Sequence, residues 1–342
     1  MLRDELSLKY INLRAGGITR EPVNDGVYLK SIVKVKEDAM VLYPTTTCVQ
    51  IFDGRQYYSE LKLNLYKKLH PDFERERENF RKLLACQGIS EAYSTRLTYI
   101  TDEVAVVDGQ GIYLHGTGAS ISTEDYDLYD EPMQFHADAI ITDRRNVGLI
   151  SYAADCPTAF LRDAETGAIG VLHSTWKGLV IEHEDGEPSS IVKTTVEAME
   201  DNFGTKPENL EVTIFPCIGP NQFEVGGDVV MKFYQHGLDE FVHGASGGRF
   251  FIDLTGTVTK LFMENGVRPY NIEKTPYTTA DYGLNSLRMS PTNYYGESGI
   301  AGIGVRDSIE DYSKEPEIYS DAEKERRMVR ANASNFLIAV RN

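Results

Sequence analysis

Ala153-Ala154-Asp155-Cys156-Pro157, then Asp163-Ala164-Glu165-Thr166-Gly167, then Leu172-His173-Ser174-Thr175-Trp176-Lys177-Gly178, is the stretch on which the fold is read. The apolar runs Val147 to Ala153 and Ala168 to Leu172 have the make-up of buried strands, and Asp163 to Gly167 holds the residue types that reverse a chain. Antiparallel pairing of Ala159 to Leu161 with the run that follows, about a turn near Glu165, sets Cys156 almost opposite His173 and Ser174. Directly opposed side chains lie roughly 5 Å apart. That suffices for a thiolate–imidazole pair or for two ligands of one metal.

Outward from this hairpin the chain alternates strand and helix signals. The first 40 residues read as a small β element, with Val27-Tyr28-Leu29 and Ile32-Val33-Lys34-Val35 between the turn formers Gly16-Gly17 and Asn24-Asp25-Gly26. Phe73, Phe80, Leu83 and Leu84 predict a helix from Pro71 to Gly88, and Ser94 to Val107 and Ala139 to Ala153 read as strand. A helix is expected from Ser189 or Ser190 to Asn202, closed by Gly204, and a strand from Leu210 to Phe215. Helices are also expected from Glu224 to Tyr234 and from Leu254 to Asn265, the latter capped by Asp253. A charged helix from Asp321 to Arg330 and an apolar strand from Phe336 to Val340 complete the pattern.

Bulk composition narrows the partners. The chain has 342 residues, 41% hydrophobic and 25% charged, near globular averages. A net charge of −17 opposes phosphate backbones and anionic lipid surfaces, so nucleic acid and membrane are not expected partners. A small anion stays accessible to chemistry here, because a local Arg or Lys overrides the global field within about one Debye length, ~8 Å. The four cysteines, Cys48, Cys86, Cys156 and Cys217, are scattered, which predicts reduced thiols. The charged start Met1-Leu2-Arg3-Asp4-Glu5-Leu6 and the lack of a bilayer-length apolar run lead to the expectation of a cytoplasmic protein.

Several segments together resemble the YfiH, or laccase-domain, proteins. Asn64-Leu65 with Glu78-Asn79-Phe80-Arg81-Lys82-Leu83-Leu84 resembles their early "LNLG … NR..L" region, and Ala137-Asp138-Ala139-Ile140-Ile141-Thr142-Asp143 resembles "ADALVTD". Ala154-Asp155-Cys156-Pro157 resembles "ADCVP", and His173-Ser174-Thr175-Trp176-Lys177-Gly178 resembles "HAGWRG". Cys217-Ile218-Gly219-Pro220 with Phe223-Glu224-Val225-Gly226 is similar to "AIGPCCYEVG". Thr278-Thr279 with Asn285-Ser286-Leu287-Arg288 is similar, more loosely, to "CT … FSYRR". The resemblance implies an α/β protein of the α+β kind, a mixed sheet layered with helices, in the YfiH-like or cytotoxic necrotizing factor-like cysteine hydrolase fold. The expected layout is an N-terminal β-rich extension over 1–42, the laccase domain over 43–307 and a C-terminal helix and strand over 308–342.

The resemblance also implies purine nucleoside chemistry: phosphorolysis of adenosine, inosine or methylthioadenosine, and adenosine deamination. Purine nucleoside and phosphate are then the expected partners. The family's metal site uses two His and one Cys, of which Cys156 and His173 are present, while Ile100 stands where the other His is expected. An aliphatic side chain has no lone pair, so a zinc centre of that design needs a substitute ligand, for which His115 and His136 are the nearest candidates. Copper oxidation is the weaker metal reading, since several copper centres need many His ligands and the chain has seven His with no His-x-His pair. Asn221, Gln222, Met289 and Ile300 also depart from the family's polar residues.

Role by role, Cys156, His173, Asp155 and Arg288 are the catalytic candidates, and Trp176, Lys177 and Ser286 the substrate-binding ones. Asp155 can orient His173 or a water, or can be a plain turn carboxylate. Trp176 can stack on a purine or pack in the core. Arg288 and Lys177 can hold phosphate, Arg with the better bidentate geometry, or can be solvated surface charges. Glu182-His183-Glu184-Asp185 reads as a solvated loop. Two other classes stay open: a Cys–His amidase or deamidase with Cys156 as nucleophile and His173 as base, and a catalytically inactive binding protein on the same fold.

Overall fold

The computed structural model describes residues 7–12, 18–22, 26–52, 55–60, 83–85, 89, 91–95, 102–119, 133–153, 155–183, 186–244, 246–279 and 335–341. Two large sheets dominate it. The first has nine strands, in the order Ile18–Thr19, Ser7–Asn12, Gly26–Val35, Ala39–Phe52, Asn335–Arg341, Val147–Ala153, Glu91–Thr95, Met133–Phe135, with Arg55–Glu60 also paired to Ala39–Phe52. The second has seven, in the order Ile272–Lys274, Leu210–Ile214, Thr158–Asp163, Ile169–His173, Ala139–Thr142, Val104–Val107, Ile112–Leu114.

Period-two alternation tells each strand which layer it faces. Val104 and Val106 join a core shared with the helices, whereas Ala105 and Val107 join one shared with the nine-stranded sheet. Phe160, Ile169 and Val171 likewise face the other sheet, where they meet Tyr43, Leu149, Leu337 and Ala339. The far side of the nine-stranded sheet buries Leu42, Ile150, Tyr152, Ile338 and Val340 against Leu83 and Ile89. Strands buried on both faces have no polar side, which is why Val147–Ala153 and Ile169–His173 read as near-continuous apolar runs.

The helical layer follows its sequence signals. Helix Ile191–Phe203 starts at Ser190, whose hydroxyl accepts the Lys193 N–H at 3.1 Å, and ends at Gly204 with φ 68°, a conformation glycine adopts without a Cβ penalty. Helix Leu254–Glu264 is capped by Asp253, which accepts the Gly256 N–H at 2.9 Å. Ile191, Val192, Val196, Met199, Val258 and Phe262 pack on the seven-stranded sheet. No helix among the described residues is long and apolar enough to cross a membrane.

Some expectations are corrected. Ala139 to Ala153 is two strands in different sheets, Ala139–Thr142 and Val147–Ala153, separated by a turn at Asn146 with φ 60°. Glu224 to Tyr234 begins as a short strand, Glu224–Val225, and becomes helix only over Gly227–Gln235, because the Gly226-Gly227 pair interrupts the helical period. The terminal segments expected as additions share one sheet with the centre: Asn335–Arg341 lies between Ala39–Phe52 and Val147–Ala153, antiparallel to both. The helix expected from Asp321 to Arg330 falls outside the described residues. So does most of the one from Pro71 to Gly88, of which Leu83, Leu84 and Ala85 are helical.

Ion pairs tie the two sheets at the end away from Cys156. The Lys34 ammonium reaches across to Thr213 Oγ1 at 2.9 Å and Glu273 Oε2 at 2.5 Å. Arg162 returns the contact, to Asp38 Oδ1 through Nε at 2.7 Å and to Glu211 Oε2 through Nη1 at 2.9 Å. Arg162 is 8% exposed, so its removal strands two carboxylates in a poorly solvated place. Deleting one partner of a buried pair costs about 3–5 kcal/mol, and the partial exposure of Asp38 and Glu211 lowers that here to about 2–4 kcal/mol. Arg162→Met is expected to destabilise by that amount in urea unfolding, whereas Glu197→Gln on the exposed face of helix Ile191–Phe203 changes the midpoint little.

Candidate functional site

The central hairpin has Thr158 opposite His173, Ala159 opposite Leu172 and Phe160 opposite Val171. Asp163 builds its turn, accepting the Glu165 N–H at 2.8 Å and the Thr166 hydroxyl at 3.0 Å, and Gly167 takes φ 74°. The register carries Cys156 to the level of Thr175, one position beyond the expected Ser174, yet its sulfur stays close enough to raise the His173 pKa. The hairpin expectation therefore locates the pair, off by one residue.

His173 shares a face with Ile169 and Val171, so its ring points between the sheets, where it is 3% exposed. Its Nδ1 meets Asp138 Oδ1 at 3.1 Å. Asp138, itself buried, is fixed by backbone pairing: its carbonyl accepts the His173 N–H at 2.7 Å and its N–H donates to Glu103 O at 3.1 Å. Burial alone pushes the imidazole down, but the Asp138 carboxylate and the Cys156 sulfur outweigh it and lift the pKa to about 10. Cys156 is the partly exposed member of the trio.

Asp155 takes another direction. Its Oδ1 accepts the Thr279 hydroxyl at 2.5 Å, and its carbonyl accepts the Ile218 N–H at 2.8 Å. The carboxylate on His173 Nδ1 is thus Asp138. Asp138 was visible only as part of the Ala137-Asp138 match; the informative signal is a carboxylate at the start of an otherwise apolar buried strand. Around Asp155, Cys217 Sγ lies 3.0 Å from Thr255 Oγ1, and Tyr43 donates to Pro216 O at 3.2 Å while its ring stacks on Phe215. Burial raises the Cys217 thiol to about 12, and burial also holds the Tyr43 phenol well above its ordinary value.

The remaining candidates separate. Trp176 packs against the helix-side core, with Lys177 Nζ 5.8 Å from its ring centroid. Arg288, Ser286 and Ile100 lie outside the described residues. His115 faces the helix layer, its Nδ1 3.2 Å from Asn202 Nδ2 and its Nε2 3.8 Å from Asp201. Three strand steps also separate it from the His173 strand, about 14 Å at the usual spacing, so it does not complete a centre at Cys156. His136 is exposed, and among the described residues no three His, Cys, Asp or Glu side chains gather as a metal-binding group. Two donors and an aliphatic Ile100 do not fit the three-ligand zinc or copper site that the resemblance implies. His183 pairs with Asp102 at 3.2 Å on the surface, in keeping with a solvated loop.

Mixed sheets layered with helices, and a Cys–His corner at one end of them, define an α+β protein of the YfiH type. The solved Bacillus licheniformis protein YfiH superposes with a TM-score of 0.62 over 92% of this chain and 96% of its own, at 15% identity. Neisseria meningitidis NMB0706 superposes with a TM-score of 0.56 over 91% and 99%, also at 15% identity. The family described as Multi-copper polyphenol oxidoreductase laccase matches residues 55–292, and the chain belongs to it. Among curated relatives, the purine nucleoside phosphorylase of Deinococcus radiodurans is 35% identical over 151 residues, 44% of this chain and 56% of that protein. That of Bacteroides thetaiotaomicron is 34% identical over 109 residues, 32% and 37% respectively. The chain thus spans about half the length, or less, of these relatives.

A titration tests the geometry. His173 held above its ordinary value of 6.5 contributes stability that is complete below about 6.5 and is lost as pH rises through about 10. In NMR of labelled protein the His173 ring is expected to titrate well above the ordinary histidine range. Asp138→Asn is expected to bring it down; an unshifted midpoint in that variant would contradict the Asp138 assignment. Iodoacetamide at neutral pH is expected to label Cys156 well before Cys217 in a peptide map.

Proposed function

We propose that the chain is a purine nucleoside phosphorylase-type enzyme whose chemistry centres on Asp138, His173 and Cys156. The observation that carries this reading is the His173 imidazole, buried on Asp138 and turned toward a partly exposed Cys156. In phosphorolysis a phosphate oxygen bonds C1′ of the ribose while the C1′–N9 bond breaks, and the purine leaves with the electron pair and takes up a proton. A proton source beside the leaving base lowers that barrier. Here Cys156 is the solvent-facing member of the donor pair and His173 its buried reservoir, charged at neutral pH. In this reading Arg288 and Lys177 hold phosphate and Ser286 contacts substrate. The names of the relatives support this reading.

Adenosine deamination is the less supported activity within this reading, because it requires activated water and the donor set does not fit the implied metal. A Cys–His amidase is the second reading, and one observation favours it: Asp138 on Nδ1 gives His173 the orientation that a Cys–His–Asp nucleophilic triad uses.

The test is incubation of metal-assayed protein with adenosine, inosine and methylthioadenosine, with and without phosphate, following free base and ribose 1-phosphate. Phosphate-dependent base release is expected, and His173→Ala is expected to lower kcat by about 10²-fold or more. Cys156→Ala is expected to weaken phosphorolysis and to abolish any amidase activity. Turnover of no nucleoside under any condition would remove the phosphorylase reading.

A further inference from the structure

Beside the proposed site, two cysteines lie on adjacent backbones at the edge of a ladder. Strand Thr158–Asp163 pairs antiparallel with Leu210–Ile214, Ala159 opposite Ile214, and two backbone hydrogen bonds hold the chains together beyond the strand ends. The Phe215 N–H donates to Thr158 O at 2.9 Å, and the Ile218 N–H donates to Asp155 O at 2.8 Å. Between those rungs each chain has two residues, Cys156-Pro157 on one side and Pro216-Cys217 on the other. The two rungs are three residues apart on each chain instead of the two of a regular ladder, so the ladder is interrupted at Pro157 and Pro216, neither offering an N–H, and Cys156 and Cys217 lie on adjacent backbones between the rungs. Backbones joined by rungs on both sides run about 5 Å apart, within the ~4.4–6.8 Å between Cα atoms that a disulfide spans.

Exposure divides the labour between the two thiols. Cys156 is partly open to solvent, whereas Cys217 is 3% exposed and rests on the Thr255 hydroxyl. The Cys156 sulfur, like Asp253 and Asp155, is close enough to Cys217 for its charge to raise the Cys217 thiol. Pro216 is anchored by Tyr43, which holds the Cys217 side of the pair in register.

We propose that Cys156 and Cys217 form a reversible disulfide under hydroperoxide, which withdraws Cys156 from His173 and switches the site off. The chemistry needs only the peroxide as oxidant. The Cys156 thiolate attacks the peroxide, the O–O bond breaks and a sulfenic acid forms with release of water after proton uptake. Cys217 sulfur then attacks the sulfenic sulfur, the S–S bond forms, the S–O bond breaks and a second water leaves with the Cys217 proton. Both cysteines are oxidised by one electron and one peroxide is reduced to two waters. A dithiol restores the open site. The loss of activity rests on the proposed function, whereas the covalent link is measured without substrate, so the two can fail separately.

The experiment treats full-length protein with hydrogen peroxide, blocks remaining thiols and maps tryptic peptides without reduction. A species joining peptides 146–162 and 194–232, each of which holds one cysteine, is expected, and it is expected to disappear with dithiothreitol. In Cys217→Ala the species is lost and Cys156 proceeds to the sulfinic acid. Failure of that variant to fold leaves the wild-type map decisive on its own. Cys156 found only as sulfinic acid in wild type, or joined to Cys48 or Cys86 instead, would overturn the proposal.

Discussion

The pairing of Thr158 with His173 across the central hairpin is the constraint on which the rest of the structure depends. A strand has a period of two, so a one-residue slip would exchange the faces of the hairpin. Phe160 and Val171 would then leave the space between the sheets, and Ala159 and Leu172 would leave the helices. His173 would turn away from Asp138 with them. Packing on both faces thus enforces the register, and the register places the imidazole.

The same economy explains why the site sits where strands end. Asp138, Cys156, His173 and Cys217 all lie at or just beyond the last paired residues of the seven-stranded sheet, where ladder hydrogen bonding gives way to loops. Backbone contacts such as Ser174 N–H to Pro157 O and Thr279 N–H to Cys217 O, at 2.8 and 2.9 Å, knit those loops to one another. A buried imidazole in such a place needs a counter-charge, and Asp138 provides it. Toward the other end of the seven-stranded sheet's central strands, Arg162 joins the two sheets by paired charges, and Lys34 does so from the nine-stranded sheet.

Family membership and local chemistry point in different directions at the metal. The family's description names copper, and the resemblance implies a Cys and two His, while this chain brings Cys156 and His173 to a carboxylate. A neutral His ligates a metal, but an imidazole between a carboxylate and a thiol is stabilised as the cation.

Much of this was legible in the chain. Helix Ile191–Phe203 announced both its ends, through Ser190 and Gly204, because caps are local chemistry. The hairpin was legible for the same reason, its turn residues and flanking apolar runs being neighbours in sequence. Asp138 as the partner of His173 was not, since 35 residues separate them and only sheet pairing brings them together. Nor was the break at Asn146, where one apolar-rich segment feeds two sheets, nor the seat of Asn335–Arg341 inside a sheet begun near the N-terminus. The sequence by itself determined the elements, the family and the Cys–His pair, because periodicity, caps and motifs act over a few residues. Only the tertiary structure decided which carboxylate faces the imidazole, that His115 turns away from it and that Cys217 lies beside Cys156, because those contacts depend on register between strands that are distant in the chain.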